Sequence, residues 1–154
     1  MKKIILTVFG IAFLAINLFG AKVETPKPNE AKALGVNYIS IEDAKKALDS
    51  GAVFLDNRNK KKFLKGKIKG AVTAIYREKG GNKNRISNFN KNGERLTMKN
   101  IPKDKNTKLI TYCSSINCWK SFKAAVTLSA KGYKNVYWMR DGFVTWRKAK
   151  LPTE

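Results

Sequence analysis

The sequence predicts an α/β domain with a mainly parallel central sheet flanked by helices, and three observations carry that prediction. Short apolar runs of strand length at 52–56, 71–75, 108–112 and 135–139 alternate with stretches of helical spacing. The runs around 52–56 and 108–112 are apolar without alternation, as strands covered on both faces require. Strands that alternate with helices along the chain imply a mainly parallel sheet with helices on its faces. No internal repeat is present.

Residues 1–21 read as a targeting segment: Lys2 and Lys3, an apolar run from Ile4 to Phe19, then Gly20 and Ala21. The run is slightly shorter than the ~20 residues of a spanning helix, and Asn17 interrupts it. A signal peptide is the leading reading, an uncleaved anchor the alternative. The chain is then periplasmic or secreted, with a membrane contact only if the segment stays uncleaved. No cysteine follows the run directly, which argues against a lipoprotein. Residues 22–36 are rich in Pro, Lys and Glu and predict a linker. Residues 37–152 predict a single domain of roughly 120 residues, enough for one core.

Tyr38-Ile39 starts this domain in extended form. Ser40-x-x-Asp43 resembles a capping box opening a helix over 41–50, with Gly51 as its stop. The apolar run from Ala52 ends in Asp56, and a helical turn follows near 60–64. Gly66 and Gly70 bracket a turn before the strand at 71–75. Residues 77–106 change to Lys, Asn and Gly with scattered apolar positions, a long irregular connection of the kind that is usually functional or mobile. After the strand at 108–112, Trp119, Phe122, Ala125 and Val126 recur at three- and four-residue spacing and are continued by Leu128, so one helix face is apolar until Gly132. Residues 135–139 form a further strand, Asp141-Gly142 a turn and 143–148 a last short helix.

Composition narrows the chemistry. Formal net charge is +21, about +19 without Lys2 and Lys3. The basic residues are spread along an exported chain rather than gathered beside stacking aromatics, so nucleic acid is not expected as a partner. Most are read as a solvated face; the narrower reading is a field that draws in small anions or an acidic protein. The chain has no histidine and two cysteines. That removes the usual general base and argues against a metal site.

Both cysteines lie in the run Tyr112-Cys113-Ser114-Ser115-Ile116-Asn117-Cys118-Trp119-Lys120, where a buried strand empties into a loop that opens a helix. A thiolate at such a turn is stabilised by unpaired backbone N–H groups and the positive end of the helix dipole. The same amides can cradle an anion. In parallel sheets ligands bind beyond the carboxyl ends of the strands, where Asp56 and Cys113 both fall.

Leu55-Asp56-Asn57-Arg58, the Phe63…Gly66-Lys67-Ile68-Lys69-Gly70-Ala71 turn and Tyr112-Cys113 resemble a rhodanese-like domain. Ala124-Ala125, Gly132-Tyr133-x-Asn135-Val136-Tyr137, Gly142-x-x-x-Trp146 and Leu151-Pro152 follow the family's order, so the resemblance covers about 38–152. It implies a single rhodanese-like domain needing no cofactor, with Cys113 as catalytic cysteine. Cys113 would take sulfane sulfur from a small sulfur-containing anion such as thiosulfate or polysulfide and pass it to a thiol or other thiophilic acceptor. Arg58 would act electrostatically and Asp56 would hold the loop, or the two would brace the turn as an ion pair.

The loop also departs from the family. Ile116 and Cys118 stand where a glycine and an arginine are common, Lys67 where histidine is frequent, and Asp141 in place of the first glycine of a Gly-Gly turn. Lys120-Ser121 supplies the missing cation only if the loop is about two residues longer. Cys118-Trp119 resembles a rhodanese subgroup with a second cysteine before tryptophan. Cys118 is thus either a resolving or redox partner for Cys113 or a small buried residue opening the helix, and Trp119 a packing residue or a substrate platform. Two further functions stay open: a thiol–disulfide redox module, and a non-catalytic binding module. Phosphatase chemistry wants a bidentate arginine that this loop lacks. The enzymatic reading requires the Cys113 sulfur to be exposed, anionic and cupped by main-chain donors.

Overall fold

Five short parallel strands, in spatial order Asn37–Tyr38, Val136–Met139, Leu109–Tyr112, Val53–Asp56 and Val72–Thr73, stand side by side because their central members are apolar on both faces and need helices above and below. The computed structural model describes residues 25–79 and 93–154. In chain order these carry α1 (Pro28–Ala33), β1 (Asn37–Tyr38), α2 (Ile41–Asp49), β2 (Val53–Asp56), α3 (Lys60–Leu64), β3 (Val72–Thr73), β4 (Tyr76–Arg77), β5 (Arg95–Leu96), β6 (Leu109–Tyr112), α4 (Trp119–Ala130), β7 (Val136–Met139) and α5 (Gly142–Lys148). The expected targeting segment 1–21 lies outside the described residues.

Alternation along each strand splits the core in two. Leu55, Leu109, Val136 and Trp138 face α4 and join Phe122, Ala125 and Leu128. Phe54, Ile110, Tyr112 and Met139 face α2 and α5 and join Ala44, Ala47, Phe143 and Trp146. The two fully buried indoles are satisfied: Trp138 donates to Ser121 Oγ at 3.1 Å and Trp146 to the Pro152 carbonyl at 3.0 Å. Ser40 caps α2 as its spacing predicts, accepting from the Asp43 N–H at 3.1 Å.

Register decides where the chemistry can sit. Asp56 lies level with Tyr112, and Tyr112 with Met139, so β2, β6 and β7 end together. The Asn57 N–H still reaches the Tyr112 carbonyl at 3.0 Å, which carries the ladder one step past the strand. Residues after Asp56, Tyr112 and Met139 therefore emerge side by side at one edge of the sheet.

Three expectations need correction. Residues 22–36 are not simply a linker: Pro at the first turn and Glu30, whose carboxylate accepts from the Lys27 N–H at 2.8 Å, open α1, and Ala31 and Val36 are fully buried against the α4 face. The apolar content of this segment is low, but its two small side chains are spaced to meet one groove. The connection over 77–106 is likewise tied at its base, where β4 and β5 pair antiparallel. Beyond them Glu78 and Glu94 both reach the buried Lys123 ammonium of α4, at 3.1 and 3.0 Å, and Tyr76 donates to Glu94. Residues 80–92 lie outside the described residues. The strand expected at 71–75 is shorter, two residues of β3.

If α1 is part of the core, Ala31→Glu buries an unpaired carboxylate and should cost more than ~1 kcal/mol in urea unfolding, whereas a linker substitution would stay within ~0.5 kcal/mol.

Candidate active site

The loop leaving β6 is held by its neighbour α5. Phe143 N–H donates to the Cys113 carbonyl at 2.8 Å and Val144 N–H to the Ser114 carbonyl at 3.0 Å, so two orphan donors at the start of α5 are satisfied by the thiol loop. Gly142 makes the approach close enough: a Cβ there would stand 2.7 Å from Ser115 N and 2.8 Å from the Cys113 carbonyl oxygen, and its φ is +72°. No other residue type fits both demands. With those carbonyls facing α5, the trans peptides turn the N–H groups of Ser114 and Ser115 the other way. Neither these nor the Ile116 and Asn117 amides find an acceptor among the described residues. The loop closes by a turn in which Cys118 N–H donates to the Ser115 carbonyl at 3.0 Å, and α4 starts at Trp119.

Cys113 and Cys118 are joined by a disulfide, with Cα atoms 6.0 Å apart, inside the ordinary range for a bridge. Cys113 is only 2% exposed, while Cys118 is half-buried. The expectation of a free, exposed Cys113 thiolate is therefore not met in this oxidised state. The choice between a resolving partner and a merely small residue at 118 resolves toward pairing.

Both sulfur-bearing residues line a cavity of about 150 Å³ together with Arg58, Asn59, Lys62, Ser114 and Lys120. Lys62 Nζ reaches Ser114 Oγ at 3.1 Å. Lys120, one residue into α4, supplies a cation that the altered loop lacked in sequence. Asp56 lies behind this wall rather than on it. Its carboxylate is wholly buried and takes Arg58 Nε at 2.9 Å and Nη2 at 2.6 Å, the Arg58 N–H at 2.9 Å and the Tyr112 hydroxyl at 2.7 Å. Burial first, then the Asp56 charge and its hydrogen bond, push the Tyr112 phenol well above its ordinary pKa, so it remains a donor. Arg58 Nη2 also bonds the Gly66 carbonyl at 2.6 Å, and its guanidinium stacks 4.2 Å from the Phe143 ring centre. The pair is an ion pair bracing the turn, and Arg58 also borders the cavity.

Of the predicted residues, Cys113, Cys118, Ser114, Lys120 and Arg58 meet at the cavity. Ser115, Ile116 and Asn117 make the turn. Ile116 faces the N-terminal segment, where Thr25 N–H and hydroxyl both donate to its carbonyl and Arg140 grips the Thr25 and Pro26 carbonyls at 3.2 and 3.1 Å. Trp119 packs edge-on against Phe122, with ring centres 6.0 Å apart, and is core rather than platform. Sequence reasoning missed Asn59, Lys62, Thr25 and the role of Gly142. Asn59 was findable as the cap of α3, whose Lys62 N–H it accepts at 2.9 Å, but nothing in sequence separates Lys62 from the other lysines. Gly142→Ala should lower stability by more than ~1 kcal/mol in chemical denaturation and slow Cys113–Cys118 closure after reduction, since the loop must move off α5.

Comparison with curated proteins finds no significant match. Among solved structures, the chain is similar to the BH2092 protein from Bacillus halodurans, with TM-score 0.57 and 25% identity over 83% of this chain and 86% of that one. A polysulfide-sulfur transferase homodimer from Wolinella succinogenes gives TM-score 0.54 and 18% identity, covering 82% and 85%. A protein of unknown function from Rhodopseudomonas palustris, described as a possible tyrosine phosphatase, gives 0.53 and 22%, covering 82% and 89%. These likenesses agree on one mainly parallel sheet flanked by helices. The model of the rhodanese-like domain matches residues 40–149, and the chain belongs to the rhodanese-like domain family.

Proposed function

We propose that the protein is a sulfurtransferase or sulfur carrier in which Cys113 accepts sulfane sulfur and Cys118 resolves the persulfide. The observation that supports this reading most is the placement of Cys113: at the carboxyl end of β6, under unpartnered loop amides, on a cationic cavity that also admits Cys118. In the reduced protein the Cys113 thiolate attacks the outer sulfur of thiosulfate, the S–S bond of the donor breaks, and sulfite leaves with the electron pair. The loop N–H groups, Lys120 and Lys62 stabilise the anionic Cys113 persulfide. A thiol acceptor removes the outer sulfur. Alternatively the Cys118 thiol gives its proton to the outer sulfur as its own sulfur attacks Cys113 Sγ, hydrosulfide leaves with the electron pair of the broken S–S bond, and the disulfide forms. Polysulfide substitutes for thiosulfate with a shorter polysulfide leaving.

The disulfide itself favours a second reading, a thiol–disulfide redox module that never carries sulfane sulfur. A phosphatase role suits the site less, because the Arg58 fork is occupied by Asp56 and Gly66 rather than open to a phosphate. The site would operate outside the cytoplasm, where an oxidising milieu keeps the disulfide formed between turnovers.

Mass spectrometry of the reduced chain after exposure to thiosulfate or polysulfide separates the two readings. Cys118→Ser should accumulate one extra sulfur atom on Cys113, and the unsubstituted chain should release sulfide while losing two hydrogens. Cys113→Ser should lower sulfide release by at least ~10³-fold, in line with loss of a nucleophile. A disulfide that forms in the unsubstituted chain while Cys118→Ser gains no sulfur supports the redox module, and an unchanged rate in Cys113→Ser removes both.

A further inference from the structure

The mouth of the disulfide is electrostatically one-sided. Three adjoining cavities surround it. The one of about 150 Å³ carries the sulfurs, one of about 240 Å³ runs toward Lys65 and Arg147, and one of about 490 Å³ runs toward Lys60, Arg77 and Lys79. Arg58, Asn59, Lys62, Ser114 and Lys120 are shared between neighbours, so the three form one continuous surface. Among the described residues the single acid on these walls is Glu78, whose carboxylate is bound to buried Lys123. Arg58 is balanced by Asp56. Lys60, Lys62, Lys65, Lys79, Lys120 and Arg147 have no carboxylate partner among the described residues. Three acids away from these walls are paired with bases: Asp49 with Lys45, Asp43 with Lys46 and Glu154 with Lys67. The walls around the sulfurs thus carry positive charge with little acid to offset it, over an area wider than a small anion would cover.

The two sulfurs are also unequal. Both line the same cavity, but Cys113 is 2% exposed and Cys118 is half-buried. A small sulfane anion can enter a cavity of this size, but a thiol borne on a macromolecule meets Cys118 first.

We propose that this collar docks an acidic protein thiol that reduces the disulfide by attacking Cys118 and expelling Cys113. The inference rests on the sulfur-transfer reading, for which it supplies the step that returns Cys113 to its reactive form. The partner thiolate forms a bond to Cys118 Sγ, the Cys113–Cys118 bond breaks, and the electron pair leaves on Cys113 Sγ beneath the loop amides. A second thiol of the partner then attacks the partner's own sulfur in the mixed disulfide and releases the Cys118 thiolate. The disulfide is reduced to two thiols and the partner is oxidised to a disulfide.

The test uses the full oxidised chain and two synthetic peptides of equal length, each with one cysteine, flanked by glutamates in one and by lysines in the other. The glutamate peptide should reduce the disulfide at least ~10-fold faster at low ionic strength, and the advantage should collapse in 1 M salt, where the Debye length is ~3 Å. Lys65→Glu with Arg147→Glu, both away from the sulfurs, should narrow the ratio. Acid quenching followed by peptide mapping should place the mixed disulfide on Cys118. Equal rates for the two peptides, a mixed disulfide on Cys113, or an oxidised chain with two free thiols would overturn the proposal. No sulfane donor is present in this assay, so its failure and the failure of sulfur loading on Cys113 are separate results.

Discussion

Two main-chain hydrogen bonds, from Phe143 to the Cys113 carbonyl and from Val144 to the Ser114 carbonyl, are the constraint on which the site depends. They tie the thiol loop to the start of α5, orient its carbonyls outward and leave its amides for an anion. They form only because Gly142 lets the two backbones approach to a distance that a Cβ would forbid. The parallel register supplies the rest, since β2, β6 and β7 finish level and deliver Arg58, Cys113 and Arg140 to one edge.

Charge around the sulfurs comes in two layers with different work. The inner layer, Asp56, Arg58 and the Tyr112 hydroxyl, is buried and internally balanced, so it adds rigidity without a strong outward field. The outer layer of lysines lacks local acids and lies in water, where each charge is weak alone but the sum persists over the mouth. An anion approaching the cavity is thus guided by the outer layer and would be held by amides that the inner layer keeps in place.

Much of the fold was legible in the sequence because its signals are local. Ser40 caps a helix, Gly51 and Gly132 end helices, and unbroken apolar runs mark two-sided burial, so strand and helix order followed directly. The cysteine loop was legible for the same reason, strand, thiol and helix being contiguous. The α1 helix was not, since its case rests on Ala31 and Val36 fitting a groove made by residues almost a hundred positions away. The Lys123 cluster was hidden likewise: an alternating polar position on an apolar helix face gives no hint that two glutamates from a distant ribbon will neutralise it. Thr25 and Lys62 reach the loop only through tertiary placement, and the burial of Cys113 follows from α5 closing over it.

The most direct measurement is a crystal structure of the reduced protein soaked with thiosulfate. One added sulfur atom bonded to Cys113 Sγ, ringed by the N–H groups of the loop and with Cys118 Sγ close by, is the expected result. Added sulfur on Cys118, or a loop whose amides turn toward α5 and leave Cys113 packed in hydrocarbon, would contradict it.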